Sequence, residues 1–164
     1  MVKVLHVFVV GLLLSVFSMV AIAAPPILEI SGKIDKFTDK GKGTYNISER
    51  EFLALKQSSI ITSTTWTRVT KFSGVKIEDL LRVVGSTGET VEFTALDGYK
   101  VSISIAEIKK YGIILARNMD DKPLEIKNWG PYWVMYPRDA YPKELGSSLA
   151  ESRFIWQVKR INVK

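Results

Sequence analysis

Four tryptophans and several tyrosines are the residues of this 164-residue chain best suited to bind a planar ligand. Trp66, Trp129, Trp133 and Trp156 each lie beside polar residues, near a predicted strand end or turn. Aromatic faces stack on planar or cationic groups, and they fill cores equally well. Both interpretations are open for each tryptophan, but their number, with Tyr99 and other tyrosines nearby, favours a pocket lined by some of them.

The polar residues near these aromatic side chains are mainly hydroxyls. The run Thr62-Ser63-Thr64-Thr65 directly precedes Trp66, and such hydroxyls bind either a ligand or the local backbone. Asp97 precedes Gly98, a pair that suits a turn as well as a binding site. No two carboxylates are placed by their spacing to act as a glycosidase pair, and we assign no catalytic residues.

The composition excludes several kinds of chemistry. The chain has no cysteine and one histidine, His6, which lies in a segment that we expect to be removed. The mature chain would therefore lack thiolate nucleophiles, disulfides, Cys-based metal sites and a histidine base. Its 23 Lys and Arg against 17 Asp and Glu give a formal charge of +6. Because the basic residues are dispersed without a stacking array, we expect no nucleic acid partner.

Residues 1–23 have the features of a secretory signal peptide. Lys3 precedes the apolar run Val7–Val20, and Ala21-Ile22-Ala23 offers small residues at the positions that a signal peptidase recognises. A membrane anchor is the alternative, but the run is near the lower limit for a span and no basic cluster follows it. We therefore expect cleavage after Ala23 and a single periplasmic domain over residues 24–164.

Alternation and turn residues predict short strands. A hairpin is expected around Asp97-Gly98, and the predicted strands are Ile27–Ile34, Ser59–Thr65, Thr90–Leu96, Tyr99–Ile105, Ile113–Arg117 and Phe154–Val163. Strands mixed with short helices favour an α+β fold with a mixed, mostly antiparallel sheet.

Capping boxes and apolar spacing predict three short helices. Two begin at Ser48–Glu51 and Ser104–Glu107, and a third has the apolar face Ile77, Leu80, Leu81 and Val84 and ends at Gly85. The remaining segments are expected to be turns or loops: Phe37–Thr44, Ser73-Gly74, Asp120-Asp121 and Pro142–Ser152.

Several motifs, taken in order, resemble the sulfite-oxidase-like molybdopterin-binding fold. They are Thr62-x-x-x-Trp66, Phe72-Ser73-Gly74-Val75 with Leu80-Leu81, Asn128-Trp129-Gly130-Pro131-Tyr132-Trp133 ending with Pro137, and Trp156-Gln157-Val158-Lys159-Arg160-Ile161. The resemblance covers most of residues 27–163 and implies this fold.

Two departures from the catalytic members bear on function. The resemblance places a molybdenum-ligating cysteine four residues before the tryptophan, where this chain has Thr62. An alcohol is a poor substitute for a thiolate, which is a soft anionic ligand. It also places an arginine facing the anionic cofactor where this chain has Trp133. Both changes point away from a charged metal cofactor and towards a small planar ligand.

In this combination the chain is similar to the small periplasmic pterin-binding proteins of the PruR type. The resemblance implies a tetrahydropterin ligand of the monapterin or neopterin type, bound without molybdenum. It also implies a protein partner, the periplasmic domain of an inner-membrane enzyme that makes or degrades cyclic di-GMP.

The pterin interpretation assigns roles to individual residues. Trp66 or Trp133 would stack on the ring, Asp97 would accept hydrogen bonds from its donor edge, and Tyr99 would wall the pocket. Three further residues would supply hydrogen bonds: Thr64, Arg117 and Asn128.

Two other functions stay open at this point. One is an exported molybdopterin-dependent oxidoreductase with a metal ligand other than cysteine. The other is a binding module that uses the same aromatic pocket for a different flat or sugar-like ligand, since a fold does not fix its ligand.

Overall fold

The computed structural model describes residues 27–164, so the predicted signal peptide at residues 1–23 lies outside the described residues. In chain order, the elements are β1 (Ile27–Gly32), β2 (Thr44–Ser48), α1 (Glu49–Ala54), β3 (Gln57–Thr62), β4 (Thr70–Lys76), α2 (Ile77–Val83), β5 (Thr90–Ala95), β6 (Lys100–Ser104), α3 (Ile105–Tyr111), β7 (Ile114–Met119), β8 (Lys122–Pro123), β9 (Trp133–Met135), a 3-10 turn (Arg138–Ala140), α4 (Pro142–Leu145), α5 (Ser148–Glu151) and β10 (Val158–Val163).

These strands form two five-stranded sheets. The first has the order β2-β1-β10-β5-β6, and its β1 and β10 run parallel, with Ile30 opposite Ile161. The second has the order β3-β4-β7-β8, with β9 paired to β7 as well. The other strand pairs in both sheets are antiparallel. The α+β class with a mixed, mostly antiparallel arrangement is therefore confirmed.

Local signals placed the three predicted helices correctly. Ser48 caps α1 in a full capping box with Glu51, and Gly85 follows α2 with a φ of 64°, as its freedom from a Cβ allows. The second box is only half formed, because Ser104 Oγ accepts from the Glu107 N–H at 3.1 Å while the Glu107 carboxylate accepts from Tyr136.

Several expectations were wrong in detail. Ser73-Gly74 is not a turn but part of β4, where a Cβ on Gly74 would lie 2.0 Å from the Leu115 carbonyl oxygen of the neighbouring strand. Pro142–Ser152 is not an irregular loop, because it contains α4 and α5. The first strand residues predicted at Phe154–Gln157 are not in β10, and Gln157 has a φ of 54°.

Aromatic residues supply the largest side chains of a core that is mostly aliphatic. Trp133, Tyr132 and Tyr136 are the largest fully buried side chains among the described residues. All three belong to the segment around β9, which pairs with the middle of the second sheet. No helix among residues 27–164 is long and apolar enough to cross a membrane.

Candidate functional site

A cleft of about 320 Å³ lies between the loop after β3, the β5–β6 hairpin and the segment at the end of α5. Its walls are mainly apolar and aromatic: Trp66, Ala95, Tyr99, Phe154, Ile155 and Trp156. Asp97, Glu151 and Ser152 supply its polar groups. A concave, largely apolar site with a few polar groups is the usual form of a small-molecule site, and three of the residues predicted from the sequence, Trp66, Asp97 and Tyr99, meet there.

Trp66 reaches the cleft from a loop that threonine hydroxyls shape. The strand predicted to run to Thr65 ends at Thr62, and Thr64 Oγ1 accepts from the backbone N–H groups of Trp66 and Thr67, both at 3.0 Å. Thr64 is itself buried. Its hydroxyl therefore orders the loop that presents Trp66, and it is not among the residues lining the cleft.

The exposed indole of Trp66 is supported from behind by other tryptophans. Its side chain is 42% exposed and packs edge-on against Trp156, with ring centroids 4.6 Å apart and an interplanar angle of 80°. Trp133 lies deeper, 6.4 Å from Trp66 and stacked against Trp129 at 5.3 Å. The cluster fixes the position of a tryptophan face that remains accessible.

Trp133 does not offer a stacking face, contrary to one of the predicted roles. It is fully buried, and its indole N–H donates to the Phe154 carbonyl at 2.7 Å. Phe72 packs against it edge-on. Trp133 therefore acts as a core residue beneath the cleft, and of the two stacking candidates Trp66 alone is exposed there.

The β5–β6 hairpin supplies one polar edge of the cleft. Asp97 is exposed, and its Oδ1 accepts from the Tyr99 N–H at 2.9 Å, which is the turn chemistry that aspartate favours. The Tyr99 hydroxyl reaches across to the Ser152 carbonyl at 3.4 Å. Tyr99 therefore closes part of the mouth of the cleft between the hairpin and the end of α5.

Sequence reasoning missed Glu151, the most buried polar residue of the cleft. It is only 5% exposed, and its Oε1 lies 2.6 Å from the Arg138 Nε. Thr65 Oγ1 donates to its other oxygen, Oε2. A buried carboxylate needs a paired cation, and Arg138 provides one. Glu151 went unrecognised because it lies in the segment expected to be an irregular loop.

The hydroxyl run before Trp66 is also tied to the Arg138–Asp139 turn. The Asp139 carboxylate accepts from the N–H and the hydroxyl of Ser63, both at 2.7 Å, and Thr62 Oγ1 accepts from the Asp139 N–H at 3.1 Å. Arg138 Nη1 donates to Ser63 at 3.0 Å. The hydroxyls before Trp66 therefore bind the protein itself, and they anchor the Trp66 loop.

Arg117 and Asn128 are not brought to this cleft. Arg117 is buried, its Nε donates to Glu49 Oε1 at 2.9 Å and its Nη1 donates to the Leu124 carbonyl at 2.7 Å. These groups hold its guanidinium within the fold, and Arg117 does not line the cleft with Trp66, Asp97 and Tyr99. Asn128 lies on a separate cleft of about 300 Å³ that includes Trp129.

Beneath the cleft, a buried tyrosine supports Phe154. The rings of Tyr136 and Phe154 stack with centroids 4.8 Å apart and an interplanar angle of 6°. The Tyr136 hydroxyl donates to Glu107 at 2.9 Å. Burial, with the adjacent Glu107 carboxylate, raises the pKa of Tyr136 above its ordinary value, so this tyrosine stays neutral and the floor of the cleft is uncharged there.

The residues present do not suit a molybdenum cofactor held in the way that the catalytic members hold it. Thr62, at the position of the metal-ligating cysteine, is fully buried and its oxygen accepts from a backbone N–H, so it offers neither a thiolate nor an open coordination position. The charged residues lining the cleft are Asp97 and Glu151, the latter paired with Arg138, and no lysine or arginine in the described part of the chain lines it to bind a phosphate. Among residues 27–164, no cluster of three or more metal-binding side chains is found.

Comparisons with known proteins agree with this architecture. The sequence model of a family described as "Oxidoreductase molybdopterin binding domain" matches residues 47–140. The crystal structure of the sulfane dehydrogenase SoxCD from Paracoccus pantotrophus is similar with a TM-score of 0.62 and 12% sequence identity, over 84% of this chain and 38% of that chain. That likeness shows the fold, and the chain spans well under half of the length of that structure. No curated protein matches the chain. On the family match, which spans more than half of its length, the chain belongs to the oxidoreductase molybdopterin-binding domain family.

Proposed function

We propose that the chain is a periplasmic binding protein for a small reduced pterin of the tetrahydropterin type, held without metal and without catalysis. The observation that carries this proposal is a cleft in which an exposed indole, Trp66, lies beside two carboxylates. A pterin is a flat bicyclic ring with an edge of N–H donors. An indole face suits the ring, and carboxylate oxygens are acceptors for such donors.

The family supports a pterin-type ligand. Its described cofactor, molybdopterin, contains a pterin. In this chain the position of the metal-binding cysteine is the buried Thr62, and the cleft is lined by carboxylates where a phosphate would need cations. A pterin that lacks both metal and phosphate is the part of the family's ligand that these residues suit.

A role in signalling follows from the resemblance to PruR-type proteins. In this proposal the protein relays its ligand status to the periplasmic domain of an inner-membrane enzyme that makes or degrades cyclic di-GMP. The mouth of the cleft is compatible with such a contact, because Leu96 and Tyr99 of the hairpin are 39% and 51% exposed. A partner at this edge would be close to any ligand in the cleft.

Titration calorimetry under anaerobic conditions tests the proposal. We expect the purified protein to bind tetrahydroneopterin with one site per chain and micromolar or tighter affinity, about 8 kcal/mol of binding free energy. Adenosine, a flat heterocycle of another class, serves as the control and is expected to bind far more weakly. Absence of tetrahydroneopterin binding, or a preference for adenosine, would contradict the proposal and favour another planar ligand.

A further inference from the structure

Glu151 is a buried carboxylate at the edge of the cleft. It ends α5, a helix of four residues, and it lines the cleft together with Phe154 and Ile155. Burying a carboxylate is costly unless it is paired, and the chain supplies Arg138 and Thr65 to hold it. An arrangement of this kind fixes the position of an acceptor beside an apolar cavity.

The two oxygens of Glu151 have different partners. Oε1 faces the Arg138 Nε at 2.6 Å and is fully enclosed. Oε2 contacts the hydroxyl of Thr65, a residue exposed on the same loop as Trp66. A carboxylate oxygen has two acceptor sites, so Oε2 keeps one beyond the site that Thr65 uses. The salt bridge thus orients the carboxylate and leaves Oε2 as its oxygen for a ligand donor.

Asp97, the acceptor expected from the sequence, is less suited to discriminate between ligands. It is exposed, and one of its oxygens is used by the Tyr99 N–H. A hydrogen bond to an exposed carboxylate competes with water, whereas one made in a water-poor apolar environment is stronger. Burial therefore favours Glu151 over Asp97 as the group that distinguishes one ring edge from another.

We propose that Glu151 is the specificity-determining residue of the cleft, and that its Oε2 accepts a hydrogen bond from the exocyclic 2-amino group of the bound pterin. This inference rests on the proposed function. It names the ligand class more narrowly: pteridines that carry a 2-amino group are bound, and pteridines that carry a 2-oxo group are rejected. In the rejected class a lone pair faces the carboxylate where the amino group would donate.

The test compares two ligands that differ in the group at position 2, amino or oxo, and in the proton that N1 carries beside the oxo group. Tetrahydroneopterin and its 2-oxo counterpart, the matching tetrahydrolumazine, are titrated anaerobically into the wild-type protein, Glu151→Gln and Asp97→Asn. A hydrogen bond to a charged group is strong enough to give wild type a preference of about tenfold or more for the 2-amino ligand. We expect Glu151→Gln to reduce this ratio to near one, because an amide can donate to the oxo group, and Asp97→Asn to retain the ratio.

The ratio of the Kd values for the two ligands distinguishes recognition of the 2-amino group from a structural role of Glu151. A variant that only distorts the cleft weakens both ligands alike and leaves the preference unchanged, which would overturn the inference, as would loss of the preference in Asp97→Asn instead. If wild type binds neither ligand, the proposed function itself fails. Should Glu151→Gln not fold because Arg138 is left unpaired, the double variant Arg138→Gln/Glu151→Gln removes both charges and gives the same readout.

Discussion

Replacing Trp66 by alanine removes the exposed face on which the proposed ligand stacks. A tryptophan side chain presents up to about 250 Å², and Trp66 is 42% exposed, which leaves roughly 100 Å² of surface for a ligand. If the ring covers about two thirds of that area, burial at about 25 cal/mol per Å² contributes roughly 1.7 kcal/mol. Stacking adds about 0.5–1.5 kcal/mol.

The expected loss in Trp66→Ala is therefore about 2–3 kcal/mol, or roughly 30- to 150-fold in the Kd for tetrahydroneopterin. Calorimetry is the appropriate assay, because the substitution also removes a fluorophore of the site. Trp66→Phe keeps a smaller aromatic face, and its Kd is expected to lie between those of the wild type and Trp66→Ala. Ile61→Ala serves as the matched control, since Ile61 is 69% exposed and does not line the cleft.

Thermal unfolding completes the experiment, because Trp66 also packs against Trp156. We expect Trp66→Ala to remain folded with a modestly lower Tm, as one edge-to-face pair contributes about 1 kcal/mol. A folded Trp66→Ala protein with an unchanged Kd would refute the reasoning, since the ligand would then not use this face.

Three further substitutions test other parts of the structure. Burial raises the pKa of Tyr132 to about 12, above about 10 in the unfolded chain, so its contribution to stability is complete below pH 10 and falls by about 2–3 kcal/mol as the pH rises to 12. In Tyr132→Phe the lost hydroxyl has no partner within residues 27–164. Denaturant unfolding should therefore show this variant to be as stable as wild type at pH 7 and to lose less stability at high pH. Arg117→Met leaves Glu49 without its partner and should cost about 2–3 kcal/mol of unfolding free energy, while the Kd for tetrahydroneopterin stays unchanged. A changed Kd would show that Arg117 takes part in binding the ligand. Thr62→Cys should bind no molybdenum by plasma mass spectrometry, because this position is buried, and a stoichiometric metal would show that the thiol alone was missing.

Elements set by neighbouring residues could be predicted from the sequence. The Asp97-Gly98 hairpin, the Ser48 cap and the Ile77–Val84 apolar face each depend on chemistry within a few residues, and each appears in the structure. Trp66 and Asp97 were placed at the site for the same reason, since their surroundings in the chain already contain turn signals and hydroxyls.

The residues that were misplaced or missed depend on contacts between distant parts of the chain. Arg117 pairs with Glu49, which lies 68 residues earlier, and Glu151 contacts Thr65 across 86 residues. No spacing rule connects such positions. Burial also distinguishes Trp133 from Trp66, because distant parts of the chain enclose Trp133 completely and leave Trp66 42% exposed.

The most direct measurement of the central claim uses the purified native protein, with the small molecules it holds identified by mass spectrometry and its metals quantified on the same sample. The structure, with a buried Thr62 in place of a thiolate and a cleft lined by carboxylates and an exposed indole, predicts a released reduced pterin without phosphate and no stoichiometric molybdenum. Molybdenum at one atom per chain, or a bound compound without a pteridine ring, would contradict it.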